Sequence, residues 1–474
     1  MLRRRAAGLW AALPPEVATL AESFAAAGHE LALVGGPVRD AFLGRSSADL
    51  DFATSARPDE IERLLKGWTR ATWDMGREFG TIGGRRGELV VEITTYRADE
   101  YDGESRKPVV AFGHSLEGDL ARRDFTVNAM AVRVPSLEFV DPFGGLADLA
   151  GGLLRTPIDP HVSFGDDPLR MMRAARFAAQ LGFEIEPGTF AAMSEMAARL
   201  DIVSAERVRD ELVKLMLGPD VRAGLGALVD SGLADRVLPE LPALRLEVDE
   251  HHHHKDVYEH TLTVVEQAID LETGPDGPVP GPDLILRLAS LLHDIGKPPT
   301  KRLEPGGGVS FHHHEVVGAK MTAKRMKALR FDKDTIKAVQ HLVSLHLRFH
   351  GYADARWSDS AVRRYVVDAG DQLERLHRLT RADVTTRNRR KADRLSFAYD
   401  DLEHRIAELR EQEEVDAIRP DLDGTQIMAI LEIPPGREVG AAYKHLLELR
   451  MEHGPLGEER AEAELRDWWK ARQA

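Results

Sequence analysis

Residues 33–55 read LVGGPVRDAFLGRSSADLDFATS. Leu31–Val34 is a short apolar run that ends in Gly35-Gly36, and Pro37 follows where a helix places its first residues, so the start of the stretch reads as strand, turn and helix. Asp49–Thr54 then reads as a second strand, on which Asp49 and Asp51 face one side and Leu50 the other. Two carboxylates on one face repel unless a cation lies between them, and hard oxygen ligands at that spacing suit Mg²⁺. The glycine pair lets backbone N–H groups approach phosphate oxygens at the helix start, and Arg39 in the first turn adds a charge-assisted contact. The plainer reading is a strand edge followed by a helix start, and the stretch alone does not separate the two.

The chain has 474 residues, 43% hydrophobic and 30% charged, with a net charge of −15 and no cysteine. That length exceeds one core and calls for two to four domains of ordinary globular composition. The lack of cysteine excludes disulfides, fits a reducing cytoplasm, and leaves His, Asp and Glu as the metal ligands. No apolar run approaches the roughly 18 residues of a spanning helix, and Leu9–Leu13 behind Arg3, Arg4 and Arg5 is too short for a secretory leader. Neither a membrane partner nor a leader is therefore expected, and the oligomeric state is left open. The acidic balance argues against a general nucleic-acid binder. Its distribution is uneven, however. Residues 320–337 carry seven Lys/Arg against two Asp, and residues 371–394 carry eight against four acids. Such runs are commonly solvated helix faces.

The first 150 residues mix strand and helix signals, with Glu88–Thr95 as a further strand and Asp99–Pro108, DEYDGESRKP, as a mobile polar loop. From about 165 the period becomes helical. DPLRMMRAARFAAQLGF offers Asp167 as N-cap, Pro168 as first residue and Gly182 as stop, and SAERVRDELVKLMLG repeats the pattern with Ser204 as cap. Beyond the Pro/Gly-rich segment 274–282 everything reads as helix. The expectation is an α+β protein with a small mixed α/β head at 1–150, a helical neck at 151–245, a body at 246–400 and a helical tail at 401–474.

A third acid bears on the opening stretch. In LVVEITTYR the alternation turns Glu92 away from Val91 and Ile93, and a neighbouring strand presenting it beside Asp49 and Asp51 would make a three-carboxylate, two-metal site for in-line displacement at phosphorus. Together, LVGGPVRD…DLDFAT, VEITTYR, RRDFTVNAMA, DDPLRMMRAARFA and SAERVRDEL resemble the class II nucleotidyltransferases, which include bacterial CCA-adding tRNA nucleotidyltransferases and bacterial poly(A) polymerases. The resemblance covers roughly residues 30–220 in five ordered motifs. It implies a polymerase β-like head in which Asp49 and Asp51 hold the catalytic metals with Glu92 as third carboxylate. Gly35, Gly36 and Arg39 would then contact the triphosphate, and Arg123, Asp124 and Asn128 the ribose. It further implies that Asp167 and Arg170 read the incoming base, a carboxylate accepting from the amino group of cytosine or adenine and a guanidinium donating to ring acceptors. Uracil and guanine would set a carbonyl against Asp167 and be rejected. The first acid of that element is Asp166 where the family usually has Glu. Arg173 and Arg176, with Arg207 and Arg209, either support these groups or form ion pairs with Glu206 and Glu211.

The second half holds most of the 19 histidines. His293-Asp294 lies on an apolar helix before Gly-Lys-Pro, and burying both needs a partner such as a metal. With His260 and Asp383 the set resembles the metal site of HD-domain phosphohydrolases, which implies a possible divalent transition metal there. His314 and His346 are candidate further ligands, in competition with His312, His313 and His341. His251–His254 reads as a loop before the first helix of this region. The function implied is template-independent addition of CCA to the 3′ end of tRNA from CTP and ATP, with release of pyrophosphate. Three alternatives stay open: a poly(A) polymerase on the same scaffold, an HD phosphohydrolase with an RNA-binding polymerase-like head, and a small-molecule nucleotidyltransferase.

Overall fold

The computed structural model describes residues 13–45, 49–100, 109–113, 115–245, 256–305, 309–349, 352, 357–385, 388–413 and 419–473. Most of the polar loop after Glu100, the histidine run 251–254 and Arg387 of the basic run lie outside these residues. The chain divides into two compact units, Met1–Pro239 and Glu240–Ala474.

The first unit is built on a seven-stranded sheet of order β3-β4-β5-β2-β1-β8-β9. Its strands are β1 (Leu31–Val34), β2 (Asp49–Thr54), β3 (Ala71–Trp73), β4 (Thr81–Arg86), β5 (Leu89–Thr95), β8 (Ala131–Val134) and β9 (Glu138–Val140). β6 (Arg97–Glu100) and β7 (Val109–Phe112) form a separate pair, so the chain expected to loop from Asp99 is still strand through Glu100. Within the seven-stranded sheet only β2 and β5 run parallel, with Asp51 opposite Glu92 and Asp49 opposite Val90. Strand alternation decides what that pairing buries. Leu50, Phe52, Val91 and Ile93 are within the core, whereas Asp49, Asp51 and Glu92 are exposed. At the inner end of the carboxylate face, Ala53 joins Ala32, Val34 and Ala131 in an apolar cluster, closed over by Leu116 and Leu120 of the helix Leu116–Ala121.

The helices Pro160–Asp166, Leu169–Leu181, Ala205–Met216 and Val221–Asp230 complete this unit. Leu169–Leu181 is buried along most of its length, through Met171, Met172, Ala174, Ala175 and Phe177, because the last two helices both pack on it. It begins one turn-position later than the sequence suggests. Pro168 occupies the cap position, while the Asp167 carboxylate still accepts the Leu169 N–H at 3.1 Å. Ser204 caps its helix as expected, accepting from the Arg207 N–H. The α+β class and the helical remainder are as read from the sequence.

The second unit is helical from Val257–Asp270 to Glu458–Gln473, apart from a hairpin of Arg302–Leu303 and Val309–Ser310 that periodicity did not predict. Two-residue strands are too short to show alternation. No helix among the described residues is long and apolar enough to cross a membrane.

Phe52 is buried to 1% exposure in the strand that carries the acid pair. Replacing it with alanine is expected to destabilise the head by about 3–5 kcal/mol, read as a lower midpoint in chemical denaturation.

Candidate active site and metal centre

In the first unit a cavity of 540 Å³ opens beside the carboxylate face, lined by Gly35, Gly36, Arg39, Asp51, Asp124 and Asn128 on the sheet side and by Asp167, Arg170, Arg173 and Arg176 on the helical side. Gly35 adopts φ +73°, a left-handed conformation disfavoured for other residues, and a Cβ there would lie 3.0 Å from Arg123 Nη1. The glycine is thus needed both for the turn and for the approach of that guanidinium. From the turn a chain of contacts runs across the cavity wall. Arg39 Nη1 donates to Asn128 Oδ1 at 2.7 Å, Asn128 Nδ2 donates to Asp124 Oδ1 at 3.0 Å, and Arg173 Nη2 meets Asp124 Oδ2 at 2.7 Å. Asp124 is fully enclosed. Burial pushes its carboxyl up, yet the Arg173 charge and the Asn128 and Phe125 donors outweigh that and hold it below the usual carboxylate range.

Of the three acids, Asp51 borders the cavity, while Asp49 and Glu92 share its strand face outside that lining. Burial first, then the Glu92 and Asp49 charges, raise the Asp51 carboxyl against the lowering pull of Arg123. Like charges converging on one carboxyl fit a cation among them. The three do not close within 4.8 Å of one another; among the described residues the groups that do so lie in the second unit.

The expected base-reading pair is found, but each member has its own partner. Arg170 Nη1 donates to Ser163 O and Oγ at 3.1 and 2.8 Å, and its Nη2 donates to the carbonyl of Arg122. Asp167 Oδ2 meets Arg207 Nη2 at 3.1 Å. Arg176 pairs with Glu211 at 2.7 Å and stacks on Phe177, and Arg209 pairs with Asp210 at 2.7 Å. Arg207, one of the arginines expected to support these groups, does so through Asp167. Ser163 and Arg122 were missed from the sequence, and only the adjacency of Arg122 to Arg123 in RRDF signalled either of them.

In the second unit the predicted His260, His293, Asp294 and Asp383 converge. His260 Nε2 lies 3.0 Å from Asp383 Oδ1, and His293 Nε2 lies 3.2 Å from Asp294 Oδ2. His314 joins them, with Nε2 at 3.3 Å from Asp294 Oδ1 and at 3.3 Å from His346 Nε2. This selects His314 over the exposed His312 and His313, while His341 bonds the Asp368 carbonyl instead. Two donor groups emerge that share Asp294: His260, His293 and Asp294, and Asp294, His314 and His346. The outer ring nitrogens explain the convergence. Nδ1 of His293, His314 and His346 sits 2.7–2.9 Å from the carbonyls of Ser290, Phe311 and Val343, which turns each Nε2 inward. Gly296 lets the helix His314–Ala328 press against the His-Asp turn, since a Cβ there would meet the His314 carbonyl at 2.1 Å. Burial opposes charge on His293, but Asp294 and Asp383 outweigh it and raise the imidazole to about 10, whereas burial and the His293 charge depress His346 to about 3. A nitrogen-rich, buried donor set needing one positive charge fits a divalent cation.

A left-handed glycine turn beside an acid-bearing parallel strand pair, and a histidine-aspartate centre, are the arrangement of a nucleotidyltransferase head and an HD body. The poly(A) polymerase head domain matches residues 31–155, the probable RNA- and SrmB-binding region of polymerase A matches 182–244, and the HD domain matches 257–388. The A-adding tRNA nucleotidyltransferase of Deinococcus radiodurans is 37% identical over 429 residues, 88% of this chain and 91% of that protein. The CCA-adding enzyme of Limosilactobacillus fermentum is 46% identical over 208 residues, and the chain spans only 51% of its length. In structure, the Bacillus stearothermophilus CCA-adding enzyme in complex with CTP superposes with a TM-score of 0.68 at 22% identity, covering 97% of this chain and 98% of that one. The chain belongs to the class II tRNA nucleotidyltransferases, in the form that carries an HD domain. Both domains imply dependence on divalent metal.

The HD cluster predicts its own assay. The purified protein is expected to retain a divalent transition metal after dialysis, and Asp294→Ala, which removes the ligand common to both groups, should abolish that retention by elemental analysis.

Proposed function

We propose that the protein adds CCA to the 3′ end of tRNA, without a template, from CTP and ATP. The observation that carries this reading is the single cavity that brings the Gly35–Gly36 turn, Asp51, the Asp124–Asn128 pair and the Asp167–Arg170 pair to one place. In this assignment the terminal tRNA hydroxyl attacks the α-phosphorus, the bond to the β-phosphate bridging oxygen breaks, and pyrophosphate leaves. Mg²⁺ held by Asp49 and Asp51, with Glu92 beside them, supplies the charge neutralisation that in-line displacement at phosphorus requires.

The chain's own residues do the rest. The Gly35 N–H is held by the Met130 carbonyl at 3.3 Å, so the backbone N–H at Gly36 and the guanidinium of Arg39 receive the triphosphate. Asn128 and Asp124, locked by Arg39 and Arg173, present fixed hydrogen-bonding groups to the ribose, while Arg123, against the Gly35 turn, faces the triphosphate end. Arg170, held by Ser163, donates to the base, and Asp167 accepts from its amino group, exchanging its contact with Arg207, which is more than half exposed. Arg176, clamped by Glu211, braces the same helix. The basic helices of the body offer phosphate contacts for the tRNA backbone. The setting proposed is the cytoplasm.

A specific observation favours a narrower second reading, addition of the terminal A alone. The Deinococcus radiodurans relative that aligns over nearly the whole chain is A-adding, whereas the Limosilactobacillus fermentum CCA-adding enzyme aligns over about half of its own length. Substrate tRNAs ending before CCA, after C and after CC, each supplied with CTP or ATP singly, separate the two. CTP addition that halts after two residues, then ATP addition of one, is expected for CCA synthesis. ATP addition to the CC-ended tRNA with no use of CTP would establish the narrower activity, and long ATP-only tails would establish poly(A) synthesis.

Two substitutions test the assignment of residues. Asp49→Ala with Asp51→Ala should leave no incorporation above background while the circular dichroism spectrum and metal retention by the HD centre persist. Asp167→Ala should cost about 1–3 kcal/mol of base discrimination, seen as roughly 5- to 150-fold more incorporation of UTP or GTP relative to CTP or ATP.

A further inference from the structure

We propose that Asp119 is a positioning residue for the triphosphate: an anchor behind the cavity that holds Arg122 and Arg123 toward the phosphates. The inference rests on the nucleotide-transfer reading above. Asp119 has no exposed surface, although it lies on a six-residue helix, Leu116–Ala121, whose other inward residues pack on an apolar cluster. A carboxylate in such a place must be paired or destabilise the head. Its Oδ1 accepts from Nε and Nη2 of Arg122 at 3.0 and 2.7 Å and from the Arg97 backbone N–H at 3.4 Å, and its Oδ2 accepts from Arg123 Nη2 at 3.1 Å. Two guanidiniums are thereby held by one buried anion three and four residues upstream.

The direction of that hold matters. Arg122 and Arg123 both border the cavity and keep 20% of their side chains exposed, whereas Asp119 is not part of the lining. The cations are therefore presented inward without the anchor offering negative charge to a ligand. Arg123 Nη1 sits against the Gly35 turn, and its charge is felt at Asp51. Seven arginines line the cavity against three aspartates, an excess that suits a polyphosphate chain. Of the other cavity arginines, Arg39, Arg170, Arg173 and Arg176 are tied to groups in the ribose- and base-facing walls, and Arg97 donates to Thr81 Oγ1 at 3.2 Å. Arg122 and Arg123 share an anchor of their own.

Calorimetric titration of the full-length protein with ATP, inorganic tripolyphosphate and adenosine tests the idea. Asp119→Asn is nearly isosteric and is expected to weaken ATP and tripolyphosphate by the same factor, about tenfold or more, while adenosine stays within about twofold. Unchanged tripolyphosphate affinity, or an equal loss of adenosine, would overturn it, since a merely structural residue would not single out phosphate. If Asp119→Asn does not fold, Arg122→Lys keeps the charge and loses the fork onto Asp119. The same selective loss is expected, and wild-type affinity for tripolyphosphate would equally overturn the inference. Wild-type protein that fails to bind ATP at all would instead remove the nucleotide reading on which the inference stands.

Discussion

The parallel pairing of β2 with β5 is the constraint from which the head's chemistry follows. All other pairings in the sheet are antiparallel, and in this one Asp51 falls directly opposite Glu92. Register partners project to the same side, so the pairing fixes two carboxylates as neighbours and leaves Asp49 two residues along. A one-residue slip of β2 would drive Asp49 and Asp51 into the core and Leu50 and Phe52 into water, and a slip of β5 would do the same to Glu92 and to Val91 and Ile93. The hydrophobic pattern therefore enforces a cluster of like charge that the electrostatics alone would oppose. Burial first, then the Glu92 and Asp49 charges, raise the Asp51 carboxyl against the pull of Arg123.

Around this acidic edge the cavity is organised by charge pairs of two kinds. Enclosed pairs such as Asp124–Arg173 and Arg176–Glu211 set side-chain direction, because breaking one would strand a charge away from water. The Asp167–Arg207 contact has its arginine more than half exposed and contributes little to stability. In the proposed reading the rigid pairs line the ribose side and the helix framework, and the loose pair lies on the base side of the cavity.

Much of this was legible in the sequence. β1, β2 and β5 stand where alternation and the glycine pair placed them, and His260, His293, Asp294 and Asp383 converge as their buried chemistry required. What escaped has a common physical origin. Asp119 and Ser163 look like a helix acid and a helix serine, and their partners Arg123 and Arg170 act on them only through tertiary packing. Asp167 read as a helix cap and is one in part, since one oxygen accepts the Leu169 N–H while the other faces Arg207. Local spacing cannot express a side chain that serves both roles. The same limit left His314 in competition with His312 and His313 until the αL turn at His313 set which of the three faces inward.

The two metal-binding regions follow opposite logic, and the difference bears on what each can hold. The head presents carboxylate oxygens on an exposed strand face, an arrangement that suits a hard cation able to keep water and share substrate phosphates. The HD centre is buried and nitrogen-rich, its histidines locked by backbone carbonyls before any ion arrives. Preorganised imidazoles favour borderline transition metals, which bind nitrogen tightly and tolerate low coordination. A head site that must release pyrophosphate each turn profits from weak, exchangeable ligation. A centre whose ligands carry their own second shell pays that ordering cost once, at folding. Ligand type and burial thus suit the head to an exchangeable cation and the HD centre to a resident one.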